Sequence, residues 1–139
     1  MKQYNSINPL ERVIAAASYL TAGMAGFIWM ILAALMKKNI KPFLMFHILQ
    51  AIFISIAYFL FIELYKLLFI VLVKIPLINS MFLFFNGVIF NPLPIMFGMS
   101  LMQIFTSTVI LYLAITSFMG QYSYIPYVSE IIKNNTGGR

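Results

Sequence analysis

The chain has 139 residues, of which 63% are hydrophobic and only 9% are charged. An ordinary globular domain is roughly half apolar and a quarter charged, so this composition excludes a water-soluble globular protein and indicates one embedded in lipid. The net charge of +6 does not indicate nucleic-acid binding, because the basic residues are scattered among apolar runs. It indicates lysine and arginine at a cytoplasmic face and near anionic lipid headgroups.

The first predicted element begins at Asn8-Pro9, an N-cap followed by proline, with Glu11 in the first turn. Residues 13–36 carry no charge and are numerous enough to cross a hydrocarbon core of about 30 Å. This run is too long for a signal peptide and ends at two lysines, so we expect it to stay in the mature protein. It is either a single span or a short helical hairpin that turns between Gly23 and Gly26.

Small residues recur at four-residue spacing in this first segment: Ser18, Ala22 and Gly26. Such a stripe lets another helix approach closely, although small residues are also common in membrane helices generally. The densest basic cluster follows at Lys37, Lys38 and Lys41. The positive-inside rule places this loop on the cytoplasmic or stromal face.

The second predicted span covers residues 43–62. Glu63 and Lys66 follow it and lie three residues apart, so they can pair on one helix face. This ion pair is either interfacial, where the helix leaves the membrane, or intramembrane and functional.

Residues 67–97 are apolar but interrupted by prolines and asparagines, and we interpret them as an interfacial or re-entrant segment with a short helix at about 78–85. The last span is predicted at 99–119, and a polar tail follows it at 120–139. Two spans separate the lysine loop from the tail, so both are expected on one face. The predicted fold class is therefore an all-α integral membrane protein, a single domain with a small bundle of about three to four transmembrane helices.

The sequence offers little chemistry for catalysis. His47 is the only histidine, no cysteine is present, and the three glutamates lie far apart, so we predict no enzyme, no cofactor and no metal site. His47 and Gln50 share one helix face and are flanked by Phe43, Phe46 and Ala51. They are either satisfied by each other and a neighbouring helix, or they form the polar lining of a cavity.

The tail after the last span contains three tyrosines and an Ile125-Pro126 pair that restricts the backbone to an extended form. Tyrosine rings with a polar tip are favoured at the headgroup boundary. The tail is thus either a membrane-surface anchor or a docking surface for a partner at the cytoplasmic face. The residues considered for docking are Gly120, Tyr122, Ile125, Pro126, Ser129 and Glu130.

Two stretches resemble a known family. Residues 43–51 contain a Phe-x-x-Phe-His-x-x-Gln-Ala pattern, and residues 120–130 contain a glycine and aromatic residues before Ile-Pro and then Ser-Glu. Both are similar to motifs of the Tic-twenty family, the twenty-kilodalton membrane component of the chloroplast inner-envelope protein translocon, and its bacterial relatives. Glu11-Arg12 with Tyr19-Leu20 resembles the opening helix of that family. One departure is that the family usually has two spans before the first motif, where this chain has only residues 13–36.

The resemblance implies a helical membrane protein with both termini on the stromal or cytoplasmic side, in a plastid inner envelope or a bacterial plasma membrane. It implies a role in protein import, with helices that line or flank a preprotein path. The expected partners are the lipid bilayer, other membrane subunits or further copies of the chain, and translocating preproteins, but no nucleic acid. The alternatives are a structural or assembly subunit of another membrane complex, and a small transporter that uses the polar residues of the spans.

Overall fold

The computed structural model describes residues 7–93 and 98–136, and within these the chain is all-helical, without a strand. The helices are α1 (Pro9–Leu20), α2 (Met24–Leu35), α3 (Pro42–Leu72), α4 (Pro76–Phe90), α5 (Leu101–Phe118) and α6 (Val128–Thr136). The all-α part of the predicted fold class is therefore confirmed.

The first apolar segment is two helices, so a single uninterrupted helix over residues 13–36 is wrong. The α1 helix begins as predicted, with Asn8 as N-cap and Glu11 completing a capping box. It ends at a turn in which Ala22 and Gly23 both have positive φ, 52° and 89°. An α-helix cannot continue through left-handed backbone, and α2 starts immediately afterwards and packs against α1.

Two glycines permit the close packing of this hairpin on α3. A Cβ atom at Gly26 would lie 2.6 Å from the Ser18 hydroxyl oxygen and 2.8 Å from the side chain of Ile48. At Gly23 it would lie 2.8 Å from the side chain and 3.1 Å from the backbone of Ile52. Ser18 and Gly26 of the predicted small-residue stripe are thus used for close approach within the chain, whereas Ala22 lies in the turn.

The third helix is longer than predicted, since α3 continues past Glu63 and Lys66 to Leu72. All its buried residues fall between Phe43 and Ala51. The remaining 52–72 stretch is apolar but contains no buried residue. Only the first third of α3 is therefore covered by the chain itself.

The helix predicted at about 78–85 is also longer, and α4 occupies Pro76–Phe90 without a buried residue. Its proline stands at the first helical position, where the missing N–H has no cost. The end of the predicted interfacial segment, residues 94–97, lies outside the described residues. The last predicted span agrees closely with α5, and α6 adds a short helix to the tail.

The chain divides into two compact units. The first takes residues 1–57 and 110–139 and contains the hairpin, the start of α3, the end of α5 and the tail. Its hydrophobic core is formed by Ala15, Phe43, Leu44 and Ile48. The second takes residues 58–109 and contains α4 with the adjoining parts of α3 and α5.

Two helices, α3 and α5, are long and apolar enough to cross a membrane. Only 28% and 17% of their most apolar stretches are buried within the chain. The core helix of a water-soluble protein would be mostly buried, so this exposure distinguishes the two helices from such a core. The shorter apolar helices are α2 and α4.

The contacts at Gly26 lead to a testable expectation. Gly26→Ala should lower the free energy of unfolding by about 1–3 kcal/mol, because the added methyl group overlaps Ser18 and Ile48. Thermal or denaturant unfolding in detergent, followed by circular dichroism, measures the change.

Gly87→Ala is the matched control, since it lies inside α4 and its Cβ would meet only an Asn91 side-chain atom at 3.8 Å. This control should be neutral or stabilising by up to about 1 kcal/mol, the helix-propensity difference between the two residues. Equal stability of the two variants would contradict the close packing of α2 on α1 and α3.

Candidate functional site

Five polar side chains from three parts of the first unit meet in its interior, and we refer to them as the polar cluster. They are Tyr19 at the end of α1, His47 and Gln50 in the first third of α3, and Ser123 and Ser129 in the tail. All five are at most 5% exposed. Because buried polar groups are costly unless they are hydrogen-bonded, the partners of each group determine what the cluster does.

The Gln50 carboxamide is the centre of the cluster and has a partner at each of its four hydrogen-bonding positions. Its oxygen accepts from the hydroxyls of Tyr19 at 2.6 Å and Ser123 at 3.0 Å. Its nitrogen donates to the Ser129 hydroxyl at 3.1 Å and the Ser123 carbonyl at 3.4 Å. A carboxamide offers two acceptor and two donor positions, so Gln50 is fully satisfied and holds the tail against α3.

Ser129 fixes the shape of the tail as well as its attachment. Besides accepting from Gln50, its hydroxyl accepts from the backbone N–H of Ile125 at 2.7 Å and donates to the Ser123 carbonyl at 3.3 Å. These bonds close the loop that contains Pro126 just before α6. The Ile-Pro and Ser-Glu elements of the sequence pattern are therefore parts of one turn.

Aromatic rings surround the imidazole of His47. Phe43, Phe46 and Tyr19 approach it edge-on, with centroid distances of 4.5, 5.3 and 5.8 Å. Tyr122 of the tail stacks on it at 6.0 Å with an interplanar angle of 19°. The side chains considered as a cavity lining, Phe43, Phe46, His47, Gln50 and Ala51, are all at most 5% exposed.

The hydrogen bonds indicate which nitrogen of His47 carries the proton. The Tyr19 hydroxyl has one proton, which it donates to Gln50, and its oxygen lies 2.8 Å from Nδ1 of His47. Nδ1 then donates to Tyr19, and Nε2 is the unprotonated nitrogen. Nε2 is buried, and the backbone of Gln121 lies beside the ring.

The hydrogen bonds described above for the cluster involve hydroxyl, amide and imidazole groups, and no carboxylate is among them. A charged imidazolium therefore has no counter-ion in these bonds. Among the described residues, no group of three or more metal-ligating side chains is present. The arrangement is suited to holding helices together.

A second set of contacts joins the start of α1 to the lysine loop and to the start of the tail. Lys41 pairs with Glu11 at 3.1 Å. The guanidinium of Arg12 packs against Gly120, where a Cβ atom would lie 3.1 Å from Nε. Gly120 also has a φ of 77°, so the position favours glycine for two independent reasons.

The outer face of the tail is exposed. Pro126 and Glu130 are exposed there, and the Tyr124 hydroxyl donates to the Glu130 carboxylate at 3.2 Å. The negative charge of Glu130 raises the pKa of Tyr124 above its ordinary value, and burial raises the pKa of Tyr122. Of the residues considered for docking, Ser129 therefore lies on the inner side and binds α3. Pro126 and Glu130 lie on the outer side and remain accessible.

The predicted Glu63–Lys66 ion pair is formed, with 2.7 Å between Nζ and Oε1, and both side chains are about half exposed. It belongs to the second unit, whereas the polar cluster belongs to the first. Sequence reasoning did not assign a site role to Tyr19 or Ser123. The sequence does contain a signal for them, because a glutamine buried in an apolar helix requires hydrogen-bonding partners. Both residues lie within the stretches that carry the resemblance.

No family model, curated protein or solved structure matches the chain.

The complete hydrogen bonding of the Gln50 carboxamide leads to a second testable expectation. Gln50→Leu should lower the free energy of unfolding by about 2 kcal/mol or more, since each buried polar group left without a partner costs about 1–3 kcal/mol. The same substitution at exposed Gln121 is the control and should change it by less than about 0.5 kcal/mol. Unfolding in detergent measures both, and equal effects would show that the cluster contributes nothing specific.

Proposed function

We propose that this chain is an integral membrane subunit of a protein-translocating assembly of the Tic-twenty kind. The observation that carries the proposal is that the two stretches resembling the family, residues 43–51 and 120–130, bind each other through Gln50. The two stretches are about 70 residues apart in the chain, and residues from both form one buried cluster. Such a contact is expected if both stretches belong to one family's pattern. Tyr19, from the third stretch that resembles the family, completes it.

The membrane placement is supported by the exposure of apolar side chains. Leu77, Phe84 and Phe105 are 93%, 67% and 66% exposed, and they belong to a much larger set of exposed aliphatic and aromatic residues on α2 to α5. A monomeric water-soluble protein rarely exposes contiguous apolar surface on this scale. With α3 and α5 as the two crossings between the lysine loop and the tail, α4 does not cross the bilayer, and a bundle of four spans requires α1 and α2 to enter the bilayer as a pair.

The orientation that we propose puts the start of α1, the lysine loop and the tail on the cytoplasmic or stromal side. The Glu11–Lys41 ion pair and the contact between Arg12 and Gly120 support it, because they bring these three segments together at one end of the first unit. The lysines then satisfy the positive-inside rule. The α1–α2 hairpin returns the chain to the side from which it starts, as the resemblance implies.

A role as a subunit is favoured over a role as an isolated channel. A single copy has too few helices to enclose a path for a preprotein, so further copies or other membrane subunits complete it. The accessible outer face of the tail provides a surface for a partner at the cytoplasmic face, and the uncovered apolar helices provide surfaces within the bilayer.

A second candidate function is a structural or assembly subunit of another membrane complex, and one observation favours it. The α4 helix has no buried residue in its whole length. A helix without a buried residue leaves its apolar side chains available for contact with larger partners. The identity of the neighbours of α4 therefore separates the two candidates.

Photocross-linking in native membranes tests the proposal. A photoreactive residue is placed at Leu77 or Phe84 on α4, and at Asn39 in the lysine loop as a control outside the apolar surface. We expect the α4 positions to cross-link membrane subunits and a precursor arrested during import, and the Asn39 position to cross-link neither within the bilayer.

Cross-links from α4 to redox subunits at fixed stoichiometry would support the second candidate instead. Cross-links to lipid alone, together with unchanged precursor import after depletion of the chain, would refute the translocon role. Resistance of the chain to alkaline carbonate extraction tests the membrane placement independently of both roles.

A further inference from the structure

A groove of about 390 Å³ lies between the end of α3 and α4 in the second unit. This volume is within the range of about 300–1,000 Å³ that is usual for small-molecule sites. Its walls are formed mainly by Ile62, Phe69 and Ile70 of α3 and by Phe90 of α4. Such walls accept a hydrocarbon chain and offer nothing to a polar solute.

The polar groups of Tyr65 and Asn86 do not change this preference. The Tyr65 hydroxyl donates to the Asn86 side-chain oxygen at 2.9 Å, and the Tyr65 ring lies against Phe90 with a centroid distance of 4.4 Å. The two helices are joined by this contact, and the Tyr65 hydroxyl is already used. The groove is thus a preformed apolar slot with an aromatic wall.

The charge at the groove comes from Lys66, whose side chain is part of the lining. Its ammonium is 2.7 Å from the Glu63 carboxylate, and the two side chains remain 60% and 48% exposed. An occupant therefore meets a positive and a negative group side by side, with no net charge. An anionic headgroup gains from Lys66 but is repelled by Glu63.

We propose that this groove binds one acyl chain of a zwitterionic phospholipid with a primary amine in its headgroup. The phosphate accepts a hydrogen bond from Lys66, and the ammonium donates one to Glu63. Charge complementarity selects this occupant, because the headgroup presents the same two opposite charges as the ion pair. A choline headgroup lacks the N–H that donates to Glu63 and binds less well.

The proposal rests on the membrane placement made under Proposed function, since only a membrane-embedded chain meets such a lipid. It also accounts for the position of the ion pair. An exposed pair contributes little to stability by itself, whereas a pair beside an apolar groove gives that groove a preference among lipids.

Native mass spectrometry of the detergent-purified chain tests the proposal. The chain is mixed with equal amounts of phosphatidylethanolamine, phosphatidylcholine and phosphatidylglycerol that carry identical acyl chains. We expect phosphatidylethanolamine to be retained preferentially. Lys66→Gln should reduce its retention by about tenfold, equivalent to about 1.4 kcal/mol, and Ile70→Trp should reduce it by filling the groove.

Lys38→Gln in the lysine loop, which belongs to the first unit, is the matched control for the lost charge and should leave retention unchanged. Both groove positions are exposed, so the fold should survive, and the helix content of each variant is checked by circular dichroism. Equal or stronger retention of phosphatidylglycerol, or retention that neither groove variant changes, would overturn the proposal in favour of unspecific annular lipid. A chain that resists carbonate extraction yet shows no headgroup preference keeps its membrane placement and loses the lipid site.

Discussion

The buried carboxamide of Gln50 has four hydrogen-bonding positions, and the arrangement of the first unit follows from satisfying all four. Their partners come from α1 and from the tail, so the end of α1, the start of α3 and residues 123–129 are held at one point. Leaving any of these groups unpaired in a low-dielectric surrounding costs more than the bonds themselves contribute. Close approach of the hairpin depends on Gly23 and Gly26, which bring α2 into contact with α1 and α3. Outside this unit few side chains are buried, and α4 contains no buried residue.

Features governed by local rules were predictable from the sequence. The Asn8-Pro9 start and the helix of the last predicted span follow from capping, proline geometry and apolar length, and the structure has both. The hairpin in the first segment was one of two alternatives, with its turn expected between Gly23 and Gly26. The structure places the turn at Ala22 and Gly23, and a non-glycine residue with positive φ has no sequence signature. The second predicted span, residues 43–62, lies within α3, which continues to Leu72, since Glu63 and Lys66 satisfy each other and do not stop a helix. His47 and Gln50 were recognised as unusual, but their partners 28 to 79 positions away in the chain are set by tertiary packing alone.

The burial of the polar cluster bears on which functions remain reasonable. Gln50 is fully hydrogen-bonded, and both Gln50 and His47 are buried, so they offer no surface to a passing solute and give no support to a small transporter that would use them. Their role is to fix the tail. The surfaces available for function are therefore the outer face of the tail, the uncovered apolar helices and the groove beside Lys66. A subunit that works through contacts with lipid and other proteins, and not through chemistry of its own, accounts for all three.

The central claim is that Gln50 attaches the tail to α3, and a double-mutant cycle tests it most directly. Gln50→Leu, Ser129→Ala and the double variant are unfolded in detergent, with Gln50→Leu combined with Gly87→Ala as a control pair. The account predicts a coupling energy of about 0.5–3 kcal/mol between Gln50 and Ser129, as is typical of residues in one hydrogen-bond network, and additivity in the control pair. Additive effects of Gln50→Leu and Ser129→Ala would contradict it, because the tail would then be held to the unit by something other than this contact.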